Sequence, residues 1–257
     1  MDLGLKDKVV MVTGGTKGIG LACARAFLAE GAKVAVVSRS RENVERACDE
    51  LPGVVGVDAD LSDEQAALGA IETVESALGP INVFVNSAGA AQRTPPDELS
   101  PVHYRAAMDA KFFTYINVID PLVKRMAARR SGDIVYDIGN GGKVASPVHV
   151  PGGAANAALL MTAGLAAAYA GKGVRVLAVN PGLTETSRVI EGFEADARLA
   201  GISSEETRDR AVLKVPLGRL ADPEEIASAV LFLASDNASY LTGVSISMDG
   251  AASPVVI

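Results

Sequence analysis

The chain has 257 residues, of which 49% are hydrophobic and 21% charged. That is enough apolar side chain for a large core and too little charge for a disordered chain. With 24 basic against 31 acidic residues spread along its length, it carries a net charge of -7, which argues against a nucleic-acid ligand bound through its phosphates.

The first residues, "MDLGLKDKVVMVTGG", lack a basic segment followed by a long apolar run, and no later stretch reaches about 18 apolar residues without charge or Gly. A cytoplasmic location and no membrane contact are expected. Cys23 and Cys48 stand 25 positions apart, and His103 and His149 belong to no ligand-spaced pattern. Free thiols and no metal site follow.

In chain order, β-branched runs lie at 8 to 13, 33 to 38, 53 to 58, 81 to 86, 132 to 138, 174 to 180 and 244 to 248. Their length and their Val and Ile content suit strands buried on both faces. Between them, Ala- and Leu-rich stretches with helical spacing occupy 18 to 30, 41 to 51, 62 to 78, 101 to 129, 153 to 170 and 222 to 235. Ser62 before Asp63 and Glu64 marks one helix start, and Asp222 before Pro223 marks another. The alternation predicts a single α/β domain, a Rossmann-like doubly wound parallel sheet of about seven strands with helices on both faces. The interval 181 to 206 shows no periodicity and contains Gly182, Gly192 and Gly201. It is expected to be a mobile loop acting as a substrate lid.

"TGGTKGIG" follows the first strand and opens the first helix, so Gly14, Gly18 and Gly20 would let the backbone turn and approach a pyrophosphate at a helix N-terminus. This segment is similar to the cofactor motif of the short-chain dehydrogenase/reductase family. Further motifs agree in order: "DADL" (58 to 61), "NSAG" (86 to 89), "NPGLTET" (180 to 186) and the segment 216 to 250. The resemblance runs from about residue 6 to 250 and implies a nicotinamide cofactor. Its contacts would be Gly14, Thr16, Lys17, Gly18, Ile19, Gly20, Ser38, Arg39, Asp60, Leu61, Asn86, Ala88, Gly89, Asn156, Pro181, Gly182 and Thr186. Asp60 would meet the adenine and Thr186 the carboxamide. Ser38 and Arg39 stand where the family separates the two nicotinamide cofactors, and Lys17 adds a second cation, so NADP is expected rather than NAD.

The family moves a proton with a Tyr, supported by a Lys four residues later, a Ser and an Asn. Here those positions fall on Gly152, Asn156, Gly139 and Lys111, and no Tyr-xxx-Lys occurs anywhere. The candidates to replace them are His149, with an ordinary pKa near 6.5, Lys111 as a cation near the ribose or a substrate anion, and Asn156 as a neutral donor. Plainer roles stay open for each: a surface-loop His149, or a Lys111 that caps or solvates a helix. Asp137 or Tyr136 enters the site only if the pleat of the fifth strand points it there. Gly139, Gly141, Gly142, Gly152 and Gly153 would vacate volume at the substrate site, unless Gly152 and Gly153 only start a helix. Val148, Val150, Leu183 and Phe193 would give the site an apolar wall for a small-molecule substrate of apolar character.

Three functions fit these residues. The first is an NADP-dependent oxidoreductase for a carbonyl or alcohol with a rearranged proton donor. The others are a catalytically silent NADP-binding sensor or scaffold, and a non-redox lyase or isomerase. The apolar stretch 154 to 170 would be buried between subunits of a homo-oligomer, a tetramer or dimer.

Overall fold

The computed structural model describes residues 2–89 and 91–253, and of Val148 and Leu199 the backbone alone. Its strands are β1 (Val9–Thr13), β2 (Lys33–Ser38), β3 (Val55–Asp58), β4 (Val83–Asn86), β5 (Gly132–Asp137), β6 (Val174–Pro181) and β7 (Ser245–Met248). All run parallel in the order β3-β2-β1-β4-β5-β6-β7. Between β1 and β4 the winding reverses, and there the strand ends open a crevice.

The helices are α1 (Gly18–Ala29), α2 (Arg41–Glu50), α3 (Glu64–Leu78), α4 (Pro101–Ala107), α5 (Thr114–Ala128), α6 (Val150–Leu159), α7 (Thr162–Tyr169), α8 (Ser187–Ala200), α9 (Ser204–Val212) and α10 (Pro223–Ala234). Because the pleat alternates, Val10, Val12, Val34, Val36, Leu177 and Val179 pack with α1 and α10 on one face. Met11, Ala35, Val37, Phe84 and Ile134 pack with α3 and α5 on the other. Each face therefore has its own core.

Four features differ from the periodicity. The helix after β3 is capped by Asp63, which accepts from the Ala66 amide, while Ser62 bonds Asp60 instead. The stretch 101 to 129 is not one helix, because a π-helical turn, Met108–Phe113, separates α4 from α5. The stretch 153 to 170 begins earlier, at Val150, and breaks between Leu159 and Thr162. The interval 181 to 206 is not an irregular loop but contains α8 and the start of α9, capped by Thr186 and Ser203. Val189, Ile190, Phe193 and Ala197 recur at helical spacing there, and Gly192 lies against the Arg93 guanidinium rather than breaking the helix.

Candidate active site

A cleft of about 680 Å³ runs along the carboxyl ends of the strands. Its floor is fixed where β1 meets β4, as the Thr13 hydroxyl donates to Asn86 Oδ1 at 2.7 Å in full burial. Gly14 has φ +68°, and a Cβ there would lie 2.7 Å from the Ser87 carbonyl oxygen. Only glycine fits this turn. Gly20 does not reach the cleft. Its lack of a side chain lets α1 pack onto the loop, since a Cβ would sit 2.3 Å from the Gly14 oxygen.

Gly14, Thr16, Lys17, Gly18 and Ile19 line one end of the cleft. At the N-terminus of α1, Lys17 adopts an extended conformation and supplies no side-chain cap, which leaves the first amides of the helix to bind an anion from the cleft. Ser38 and Arg39 follow from the end of β2, and Asp60 and Leu61 from the end of β3. The Ser62 hydroxyl and amide, at 2.7 and 3.0 Å, hold the Asp60 carboxyl below its usual range, with a smaller contribution from Arg39. The cradle fits a phosphate-bearing dinucleotide, with cations at its adenosine end.

At the opposite end, Ser87, Ala88 and Gly89 leave β4, Asp137 ends β5 with Gly139 just beyond it, and Pro181 ends β6 with Gly182, Thr184, Thr186 and Arg188 following. Asn86 pairs with Tyr136 in register, so the next residues, Ser87 and Asp137, are neighbours. The Ser87 hydroxyl donates to Asp137 Oδ2 at 2.7 Å. Burial raises the Asp137 carboxyl's pKa, opposed by Ser87, Lys111 and Arg188. Tyr136 points the other way into the core and stacks on Tyr115. The pleat thus admits Asp137 and excludes Tyr136.

Lys111 enters from the π-helical turn, a local widening common at functional sites. Its stem runs past Gly89, whose missing Cβ would lie 3.2 Å from Lys111 Cγ. Burial pushes the ammonium down to about 8, with Arg188 acting in the same sense and Asp137 against it. Among the described residues it has no hydrogen-bond partner. Lys111 lines the cleft.

Two of the three expected replacements lie elsewhere. His149 does not line the cleft. Its ring fills the space beside Gly152, where a Cβ would meet His149 Cε1 and Nε2 at 2.2 Å. Burial lowers its pKa, and Lys111, Arg93 and Arg188 add to this. Asn156 is 2% exposed and also absent from the cleft wall. It sits under the turn Asn140–Gly142, because α6 packs so closely that a Cβ on Gly142 would lie 2.9 Å from the Asn156 carbonyl carbon. Asn86 likewise stays below the floor.

The glycines therefore open little volume: Gly141, Gly142, Gly152 and Gly153 face neighbouring atoms, and Gly139 alone of the five lines the cleft. Introducing the family's tyrosine as Gly152→Tyr overpacks this spot and should cost about 1–3 kcal/mol. The double variant with His149→Ala should recover most of that loss in a denaturant melt. Equal stability of G152Y and the wild type would show that the His149 ring is not the obstacle.

Among the described residues, the side chains expected to form an apolar wall do not line the cleft. Leu183 lines a separate 170 Å³ pocket, Phe193 is buried away from the cleft and Val150 is 40% exposed outside it, and the Val148 side chain lies outside the described residues. The wall near β4 and β5 combines the polar Ser87, Asp109, Lys111, Thr114, Asp137 and Arg188 with Ala88, Ala106, Ala110 and Tyr115. Sequence reasoning passed over Arg188, Asp109 and Ser87. Arg188 could have been noticed as the cation two residues after Thr186.

This fold and cleft define a Rossmann-like domain with a dinucleotide-sized cradle, and comparisons with known proteins place it in a family. A family model described as enoyl-(acyl carrier protein) reductase matches residues 14–252. The 2-(S)-hydroxypropyl-CoM dehydrogenase 3 of Xanthobacter autotrophicus is 36% identical over 96% of each chain. The 3-oxoacyl-(acyl-carrier-protein) reductase of Thermotoga maritima is 33% identical over 96% of this chain and 98% of its own. Among solved structures, L-sorbose reductase from Gluconobacter frateurii, complexed with NADPH and L-sorbose, superposes with a TM-score of 0.93 at 27% identity, covering 100% of both chains. The chain belongs to the short-chain dehydrogenase/reductase family of oxidoreductases.

Proposed function

We propose that the protein is an NADP-dependent oxidoreductase interconverting a carbonyl and an alcohol, with Lys111 as the proton donor in place of the family's tyrosine. The observation that carries this reading is Lys111, which lines the cleft and holds its proton with a pKa pushed down to about 8. A general acid works best when its pKa lies near the operating pH.

A bound nicotinamide supplies the hydride that goes to the substrate carbon. The uncapped start of α1 and the loop Gly14–Ile19 would hold its phosphates, and Lys17, Ser38 and Arg39 would receive the 2′-phosphate. Thr186 closes over this loop, its Cγ2 3.1 Å from where a Gly18 Cβ would stand. As negative charge grows on the carbonyl oxygen, Lys111 Nζ gives up a proton to it, and the neutral amine takes another from water in the cleft. Ser87 fixes Asp137, whose charge favours the ammonium form of Lys111. α8 is the element that covers the substrate, tied down by Arg188 Nη1 donating to the Gly89 oxygen at 2.9 Å and by the Arg93–Asp196 ion pair at 2.8 Å.

NADPH deuterated at the nicotinamide C4 provides the test. Deuterium on the product carbon supports the reading. A chain that binds NADPH tightly but transfers no label to any of a broad set of ketones and aldehydes is a silent binder, and product formation without label indicates non-redox chemistry. The helical stretch Val150–Lys172 is apolar enough by length and composition to cross a membrane, and 28% of its most apolar window is buried. With Met161 48% exposed on it, this surface supports assembly into a homo-oligomer. Light scattering at micromolar concentration should give a dimer or tetramer, and a monomer alone would contradict that.

A further inference from the structure

Arg188 and Lys111 put two cations at the reacting end of the cleft, and the surrounding chain gives neither a carboxylate in ion-pair contact among the described residues. The third cation nearby, Arg93, is committed to Asp196 at 2.8 Å. The carboxylate closest in effect, Asp137, is buried and engaged by the Ser87 hydroxyl. Arg188 spends one guanidinium nitrogen on the Gly89 oxygen, and the guanidinium has five N–H donors in a planar fork suited to a carboxylate. It also sits in the first turn of α8, where the helix dipole adds positive potential.

The location separates this pair from the phosphate cradle. Arg188 is tied to Gly89, and its charge is felt by Asp137, Tyr115 and His149, while the phosphate-binding amides belong to the Gly14–Ile19 loop and α1. A second anion, distinct from the cofactor's phosphates, matches these charges. We infer that the substrate is an oxo acid or hydroxy acid whose carboxylate is held by Arg188 at the α8 edge of the cleft, with Lys111 at its carbonyl or hydroxyl oxygen. This rests on the oxidoreductase reading for the role of Lys111. Arg188 then decides which carbonyl compounds are accepted, because a carboxylate gains charge-assisted hydrogen bonds from its guanidinium that a neutral ketone cannot make.

The test compares pyruvate, acetoacetate and levulinate, in which the carboxylate stands progressively farther from the carbonyl, each against its methyl ester. At least one acid should be preferred over its ester in kcat/KM. Arg188→Gln keeps an N–H donor for the Gly89 oxygen and removes the charge, and should reduce that preference roughly 10- to 100-fold, the scale of one charge-assisted hydrogen bond. Calorimetric titration of the preferred acid into the NADP⁺ complex, a pair that cannot react, should show binding that R188Q weakens by a similar factor. Acids and esters used equally well would overturn the inference and leave the oxidoreductase reading standing. If nothing turns over but an acid binds in an Arg188-dependent way, the carboxylate site stands and the oxidoreductase reading falls. Loss of NADPH affinity in R188Q with the acid preference intact would assign Arg188 to the cofactor and overturn the inference.

Discussion

Lys111→Met should lower kcat for carbonyl reduction by roughly 10²–10⁴-fold, the usual worth of a positioned general acid. Methionine has a similar length and flexibility, so it can follow the same path past Gly89 without an ammonium at its end. The folded protein should not suffer. Burial lowers the Lys111 pKa from 10.5 to about 8, so the fold disfavours the charged form, and the variant should melt at or above the wild-type temperature at neutral pH. A loss of activity accompanied by a loss of stability would instead point to a structural lysine.

The pH dependence has a definite sign. Reduction needs the protonated amine, so wild-type kcat should be level below about pH 8 and fall above it, and the reverse reaction should rise through the same range. For stability, the unfolded chain keeps the Lys111 proton up to about 10.5 while the folded chain releases it near 8. Relative to K111M, wild-type stability therefore increases between those two values. A pH–rate profile without a break near 8 would remove Lys111 from the proton-donor role.

Arg39→Asp should reverse the cofactor preference, lowering the ratio of NADPH to NADH specificity roughly 10²–10³-fold. One charge-assisted hydrogen bond to the 2′-phosphate is worth about 1.5–3 kcal/mol. The substitution removes that bond and adds like-charge repulsion, while an aspartate there can accept from ribose hydroxyls. Arg39 is exposed at the cleft's edge beside Ser38, so the exchange should leave the fold undisturbed. Fluorescence titration with both cofactors measures it, and an unchanged ratio would show that Lys17 alone reads the phosphate.

The catalytic positions show how far linear spacing reaches. His149, Lys111 and Asn156 are all candidates by their place beside the family motifs, and packing separates them. Lys111 lines the cleft from within the π-helical turn Met108–Phe113, a feature with no simple periodic signature. Asn156 and His149 lose access because α6 presses onto the turn Asn140–Gly142 and leaves the His149 ring the space beside Gly152. Asp137 was conditional on strand direction, and the register of β4 against β5 settled it beside Ser87. Arg188 was missed because the glycines of 181 to 206 hid a helix whose apolar positions face inward only once the chain is folded.

By itself the sequence determined the alternating β/α order, the parallel sheet, the glycine turn at Gly14 and the cations at Lys17 and Arg39. These depend on local patterns of apolar residues, on backbone freedom and on charge next to a motif, all written in neighbouring residues. Only the tertiary structure decided which titratable groups share the reacting end of the cleft. Ser87, Lys111, Asp137 and Arg188 come from four separate segments, and their pKa values and access to substrate depend on burial and mutual charge, which exist only after those segments have packed.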